Sequence, residues 1–157
     1  MPRKKLLVIV VLIALATLLV SLAQAAKTDQ AERAQRLVHK AVAYVESYGS
    51  EAAITAFHDP NGVFIDGELY ILFYAFNGDC LANGAKPELA GLNRYDVHDP
   101  DGVYQIREMI ELAKKEGGWV RYKYDNPVSG RVEPKATYVL RAPGMDAFIG
   151  CGIYGTP

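Results

Sequence analysis

The chain is 157 residues long, with 17 Lys and Arg against 18 Asp and Glu and a formal net charge of −1. That balance excludes the strong positive charge by which proteins hold nucleic acid or an anionic membrane surface. The length suits one domain around one core, and Gly and Pro are scattered, marking no linker and no low-complexity tract.

Arg3, Lys4 and Lys5 form a positive start, residues 6–20 are apolar apart from Thr17, and Ser21-Leu22-Ala23-Gln24-Ala25 offers a small-x-small cleavage motif. This is the pattern of a secretory signal peptide. Residues 1–25 are therefore expected to be removed, leaving 26–157 as a periplasmic or secreted domain. The alternative is an uncleaved anchor, because residues 6–23 approach the roughly 20 needed to span a bilayer. Cleavage removes three basic residues and no acid, leaving 14 basic against 18 acidic residues and a charge of −4.

Residues 28–48 read as an amphipathic helix, with Ala34, Leu37, Val38, Ala41, Val42 and Val45 at helical spacing. Gly49 stops it, and Ser50 caps a short second helix to residue 57. His58-Asp59-Pro60-Asn61-Gly62 is a turn cluster. Residues 68–76 are apolar on both faces, which places them in the middle of a sheet. Asn77-Gly78 is a hairpin turn, so residues 79–82 return antiparallel. A polar loop spans 83–96.

Asp99 then caps a helix with Pro100 at its first position. Val103, Ile106, Met109, Ile110 and Ala113 form its apolar stripe, and Gly117-Gly118 ends it. Strands follow at about 119–125, 135–142 and 147–154. Asn126-Pro127-Val128-Ser129-Gly130 joins the first two, and Pro143-Gly144 the last two. The order predicts an α+β domain with helices packed on an antiparallel sheet. His58-Asp59-Pro60 with Gly62-Val63 recurs as His98-Asp99-Pro100 with Gly102-Val103. One copy leads into a strand and the other into a helix, so this is convergent turn chemistry and not a duplicated metal loop.

Cys80 and Cys151 are the two cysteines. In an oxidising compartment an even count invites a disulfide, worth roughly 4 kcal/mol for a loop of about 70 residues. The alternative is two buried thiols packing as small apolar groups.

Several segments carry a family likeness: Ala41-Val42-Ala43-Tyr44-Val45, Gly67-Glu68-Leu69-Tyr70 up to Gly78, and Ile106-Arg107-Glu108-Met109-Ile110 up to Ala113. Gly117-Gly118-Trp119-Val120-Arg121-Tyr122, Glu133-Pro134-Lys135 to Val139, and Gly150-Cys151-Gly152-Ile153-Tyr154 complete the set. In this order and spacing the chain resembles the single Cache domain, type 2, of bacterial extracytoplasmic sensors, over about residues 30–154. The resemblance implies a long N-terminal helix and a five-stranded antiparallel PAS-like sheet ordered 2-1-5-4-3. It also implies a crossing helix, and a pocket between helix and sheet for a small organic acid. Such domains serve chemotaxis and other signal transduction, usually in front of a chemoreceptor or kinase.

Two departures stand out. No apolar span follows Tyr154, so a standalone form acting in trans on a membrane receptor or kinase is expected. Asn83-Gly84 stands where many relatives carry His-Pro. The implied strand order also puts one strand between the cysteines, about 9.5 Å of separation, which a disulfide bridges only where the sheet pinches.

A pocket for a small carboxylate or other anionic metabolite needs a fixed cation and hydroxyl donors on a mostly apolar wall. Alternation turns Val120, Tyr122 and Tyr124 inward and leaves Arg121 and Lys123 in solvent. Lys135 is the candidate cation, Arg107 a second at the flank of its helix, and Tyr122, Tyr138, Trp119 and Tyr74 complete the candidate set. Tyr138 points opposite to Lys135 in a regular strand and reaches the pocket only across a bulge. His39, His58 and His98 lack metal-ligand spacing, and no nucleophile or nucleotide motif occurs. The chain is accordingly read as a non-enzyme without cofactor or metal. The other reading is an interaction module that associates, or homodimerises, through its N-terminal helix.

Overall fold

The computed structural model describes residues 2–126, 129–155 and 157; Pro127 and Val128 of the expected hairpin loop lie outside them. Helix α1 (Pro2–His58) is interrupted once, at Gly49, with φ 80° and ψ 174°. Glycine adopts that geometry without a Cβ penalty, so the break expected there joins two helices directly. The start expected at residue 28 is corrected. The preceding apolar and alanine-rich run contains nothing that breaks a helix and continues the same one. Leu12, Ile13, Leu15, Leu18, Leu19 and Val20 are exposed on it, and α1 is long and apolar enough to cross a membrane. Farther along, Ala34, Val38, Ala41 and Val45 are buried.

The sheet contains β1 (Ile65–Asp66), β2 (Leu69–Ala75), β3 (Cys80–Asn83), β4 (Gly118–Asn126), β5 (Arg131–Arg141) and β6 (Ala147–Tyr154). Its antiparallel path is β1-β2-β6-β5-β4, with β3 also paired to β2. It has six strands where five were expected. The addition is β1, which pairs with Leu69 and Tyr70; the five longer strands run β3-β2-β6-β5-β4. β2 lies inside the sheet and is almost wholly buried, as its two apolar faces require.

Strand alternation divides the core into two layers. Leu69, Ile71, Phe73, Ile149, Cys151 and Ile153 pack with α1, while Leu72, Tyr74, Val120, Tyr122, Val139 and Phe148 pack with α2 (Gln105–Ala113). Ile106, Met109, Ile110 and Ala113 form the buried stripe of α2. The helix begins later than its Asp99-Pro100 start suggested, because Asp99 is committed elsewhere. Its Oδ1 accepts from the backbone N–H groups of Asp101 and Val103, and its Oδ2 from that of Lys123 at 2.7 Å. The residue thus shapes a turn and pins it to β4. Asp59 makes the corresponding local turn, accepting from Asn61 on Oδ1 and from Gly62 on its carbonyl. Shared turn chemistry therefore accounts for the repeated motif.

Both cysteines are free and buried, which corrects the expected Cys80–Cys151 bond. Cys80 pairs across from Tyr74 and Cys151 across from Ile71, on opposite sides of β2. They also belong to different core layers. Their Cβ vectors point apart, a geometry no disulfide accommodates.

Candidate functional site

Lys135 lies on β5 between two cross-strand neighbours, Tyr122 on β4 and Tyr154 on β6. Its side chain is 2% exposed. The space for it exists because Gly152, on β6, has no side chain: a Cβ there would lie 2.5 Å from Lys135 Cε. The ammonium donates to Tyr70 Oη at 2.8 Å and reaches Tyr154 Oη at 3.5 Å. The rings of Tyr154, Tyr70 and Tyr124 stand 4.6, 5.0 and 5.0 Å from it. Cation–π attraction and two hydroxyls replace part of its hydration. No carboxylate pairs with it among the described residues. Burial holds its pKa down to about 8, with Cys151 acting upward and Lys86 downward.

Beside it is a cavity of about 30 Å³ between the sheet and α2. Tyr70, Leu72, Tyr74 and Tyr122 form the sheet wall, Ile106 and Met109 the helix wall, and Asn83, Arg94 and Gln105 the rim. Tyr122 Oη is within 2.9 Å of Thr137 Oγ1 in a buried pair, and burial raises its pKa above the usual tyrosine value. Asn83 Oδ1 accepts from the N–H groups of Ala85 and Lys86, so Asn83 turns the rim loop. Lys86 stands 4.8 Å over the ring of Tyr124. Neither Lys86 nor Arg94 forms an ion pair among the described residues. Lys135, Lys86 and Arg94 thus gather at this end of the domain without a direct carboxylate partner among the described residues, the nearest acids being Glu68 at the outer wall and Asp99 and Asp125 in the cleft beside Arg94.

Of the residues expected at the pocket, the structure brings together Lys135, Tyr122 and Tyr74. Arg107 is not among them. Its guanidinium pairs with Asp96, donates to the Tyr95 carbonyl at 3.1 Å and lies 4.0 Å over Tyr104. It fastens the rim loop to α2 from outside. The alternative pair with Glu111 is not formed either, since Glu111 binds Lys114. Tyr138 and Trp119 pack against each other with their rings tilted by 56° and centroids 5.4 Å apart, against the α1 layer. β5 runs in register with β4 from Arg131 to Val139, so no bulge turns Tyr138 toward Lys135.

Tyr70, Tyr154, Arg94, Lys86 and Gly152 escaped sequence reasoning. Alternation does put Tyr70 on the same side as Tyr74, and Tyr154 with Gly150 and Gly152. That signal was available and the glycine pair was its sharpest part. Arg94 and Lys86 sit in a loop without periodicity, where sequence carries no directional information.

A family model described as single Cache domain 2 matches residues 12–156. The sensor histidine kinase MctS of Rhizobium johnstonii is 31% identical over 85 residues, which is 54% of this chain and 18% of the kinase. The methyl-accepting chemotaxis protein CtpM of Pseudomonas aeruginosa is 34% identical over 85 residues, 54% of this chain and 15% of that protein. The chain thus aligns with less than a fifth of either curated relative. Among solved structures, a methyl-accepting chemotaxis protein from Vibrio parahaemolyticus superposes with TM-score 0.70 at 22% identity, covering 83% of this chain and 92% of that one. A Cache chemosensory domain studied for carboxylic acid recognition superposes with TM-score 0.67 at 21% identity, covering 85% and 98%. At those identities the likeness establishes the fold.

Proposed function

The chain belongs to the single Cache domain 2 family, and from that premise we propose that it is an extracytoplasmic sensing module that binds a small organic acid at Lys135. The observation that carries this reading is the Lys135 ammonium, 2% exposed and without a carboxylate partner among the described residues. Burying a charge unpaired is costly, and a carboxylate ligand completes the pair. The hydroxyls of Tyr70 and Tyr154 supply neutral contacts beside the ammonium, and Arg94 and Lys86 add positive potential at the rim. The domain has the character of a signalling module and not an enzyme. It reports occupancy to a membrane receptor or kinase, the setting in which the sequence relatives carry such a segment. The apolar start of α1 serves as export signal or anchor.

A thermal-shift screen of small carboxylates, amino acids and matched neutral amides tests the reading. A ligand at 100 times its Kd stabilises the fold by about 2.7 kcal/mol. Acids should raise the midpoint and amides should not. A chain that no acid stabilises would instead be an interaction module working through α1.

A further inference from the structure

The inner cavity, at about 30 Å³, has room for little more than a carboxylate group, since one water needs roughly 10–15 Å³ on the same measure. A second cavity of about 290 Å³ adjoins it, walled by Pro60, Ile65, Leu69, Ala85, Tyr70 and Tyr154. A cavity of roughly 150 Å³ suffices for benzene. Tyr70 lines both spaces, and Tyr154 lines the outer one while its hydroxyl reaches Lys135. The two tyrosines that hold the ammonium therefore stand at the boundary between a small polar space and a larger apolar one.

We propose that the ligand is a monocarboxylate with an apolar tail, a chain of roughly four to seven carbons or one aromatic ring by the comparison with benzene. Its carboxylate sits on Lys135 and its tail lies in the outer cavity. This rests on the reading of Lys135 as an acid site and specifies which acids the site takes. The carboxylate accepts from the ammonium and from the Tyr70 hydroxyl, which turns from acceptor to donor. Glu68 at the outer wall disfavours a second carboxylate on the tail, since like charges repel at close range. Gly84 keeps the wall thin, because a Cβ there would meet Ile65 Cδ1 at 2.9 Å and Tyr70 Cβ at 3.3 Å. A side chain in that position would close up the outer cavity between its own walls.

Calorimetric titration of the full-length protein with acetate, butanoate, hexanoate, phenylacetate and hexan-1-ol tests the assignment. Affinity should rise about fourfold per methylene from acetate to hexanoate, the value of a buried CH₂. Hexan-1-ol should bind far more weakly than hexanoate. Ala85→Phe, at an exposed position on the cavity wall, should collapse the hexanoate-to-acetate affinity ratio toward one. A flat or falling chain-length series overturns the tail assignment while the acid site stands. An unchanged ratio in Ala85→Phe overturns it too, whereas hexan-1-ol binding as tightly as hexanoate overturns the placing of the carboxylate on Lys135 and with it the proposal. If none of the acids binds, both the tail assignment and the acid site fail.

Discussion

Gly152 and Lys135 determine each other's place. They sit on neighbouring strands of one sheet, and a Cβ at 152 would lie 2.5 Å from Lys135 Cε and 3.4 Å from its Nζ. The lysine side chain crosses β6 over the space that the glycine leaves, and this is what carries the ammonium to Tyr70. The same face of β6 carries Gly150, where a Cβ would meet Leu72 Cδ1 at 2.7 Å.

Gly152→Ala should therefore displace the ammonium and weaken acid binding at least tenfold. Overpacking of this kind costs about 1–3 kcal/mol of stability. Gly150→Ala is the control: it strains Leu72, Thr137 and Val139 but does not touch Lys135. Melting curves should show both variants destabilised. Acetate titration should show the larger binding defect in Gly152→Ala, because Gly150→Ala reaches only the Leu72 wall of the cavity and not the ammonium. Equal affinity in the two would mean that the lysine reaches its place without the glycine.

Lys135→Met keeps the bulk and removes the charge. Acid affinity should fall by about 2 kcal/mol or more, the cost of breaking a desolvated charge pair. Stability without ligand should hold or rise, because an unpaired buried ammonium is replaced by an apolar chain. Chemical denaturation with and without acetate separates the two quantities. A variant that binds acetate normally would remove Lys135 from the site.

The depressed pKa of Lys135 gives a pH dependence of defined sign. The folded value is about 8 against an ordinary 10.5, so the unfolded chain binds more protons between the two. Stability rises with pH wherever the unfolded state holds more protons. This contribution is thus absent below about pH 8 and gained as pH climbs toward 10.5. Above about pH 10 the tyrosines oppose it. Burial raises the pKa of Tyr70, Tyr74, Tyr122 and Tyr154, and the folded state then holds the extra protons. Acid binding runs the other way, since it needs the ammonium. Acetate affinity should drop as pH passes 8, about tenfold per unit at the limit. Titrations from pH 7 to 9.5 check this, and Lys135→Met should flatten the profile.

Much of this architecture is legible in the residues. The alternation in β2 and the turn residues Asn77-Gly78 mark the central hairpin, and the apolar stripe of α2 marks its buried face. Strand parity turns Tyr122 inward, and Lys135 is suggested by its place at the start of the neighbouring strand. Tyr74 lies on a strand apolar on both faces, where parity alone does not choose the side. Arg107 carries no such signal, because a helix-flank arginine can turn inward or outward, and the loop carrying Asp96 and Tyr95 decides the matter. Tyr138 is the converse case: parity placed it opposite Lys135, and the regular β4–β5 register leaves it there. The two-residue β1 is too short for any periodic signal, and the late start of α2 depends on Asp99 bonding to Lys123 across 24 positions.

The cysteines offer a direct chemical check. Denatured, unreduced protein should take up two alkyl groups, one on Cys80 and one on Cys151. In the native state both should label slowly, because both are buried and burial raises their pKa, Cys151 to about 12. The thiolate is the reactive form. Protein that resists alkylation until reduced would contain a disulfide and would require β2 to move out from between them.

Arg107 provides the last test, because it joins the rim loop to α2 without lining the cavity. Its guanidinium engages Asp96 and the Tyr95 carbonyl and lies over the rings of Tyr95 and Tyr104 at 4.7 and 4.0 Å. Arg94, which lines the cavity, is one residue before that clamp. Releasing the clamp should let the segment from Tyr95 to His98 open locally at little global cost, since elements with few buried contacts open first, while Asp99 still pins the following turn to β4. Arg107→Ala should speed amide exchange there by about tenfold, the equivalent of roughly 1.4 kcal/mol of local opening. Acid affinity should fall severalfold as Arg94 loses its fixed position, while the core amides of β2 and β6 stay protected. Lys at 107 should not restore the effect, because an ammonium lacks the planar fork that pairs and stacks at once. Exchange in this segment at the wild-type rate would assign the anchoring to Asn93, whose amide donates to the Asn77 carbonyl and to Asp79.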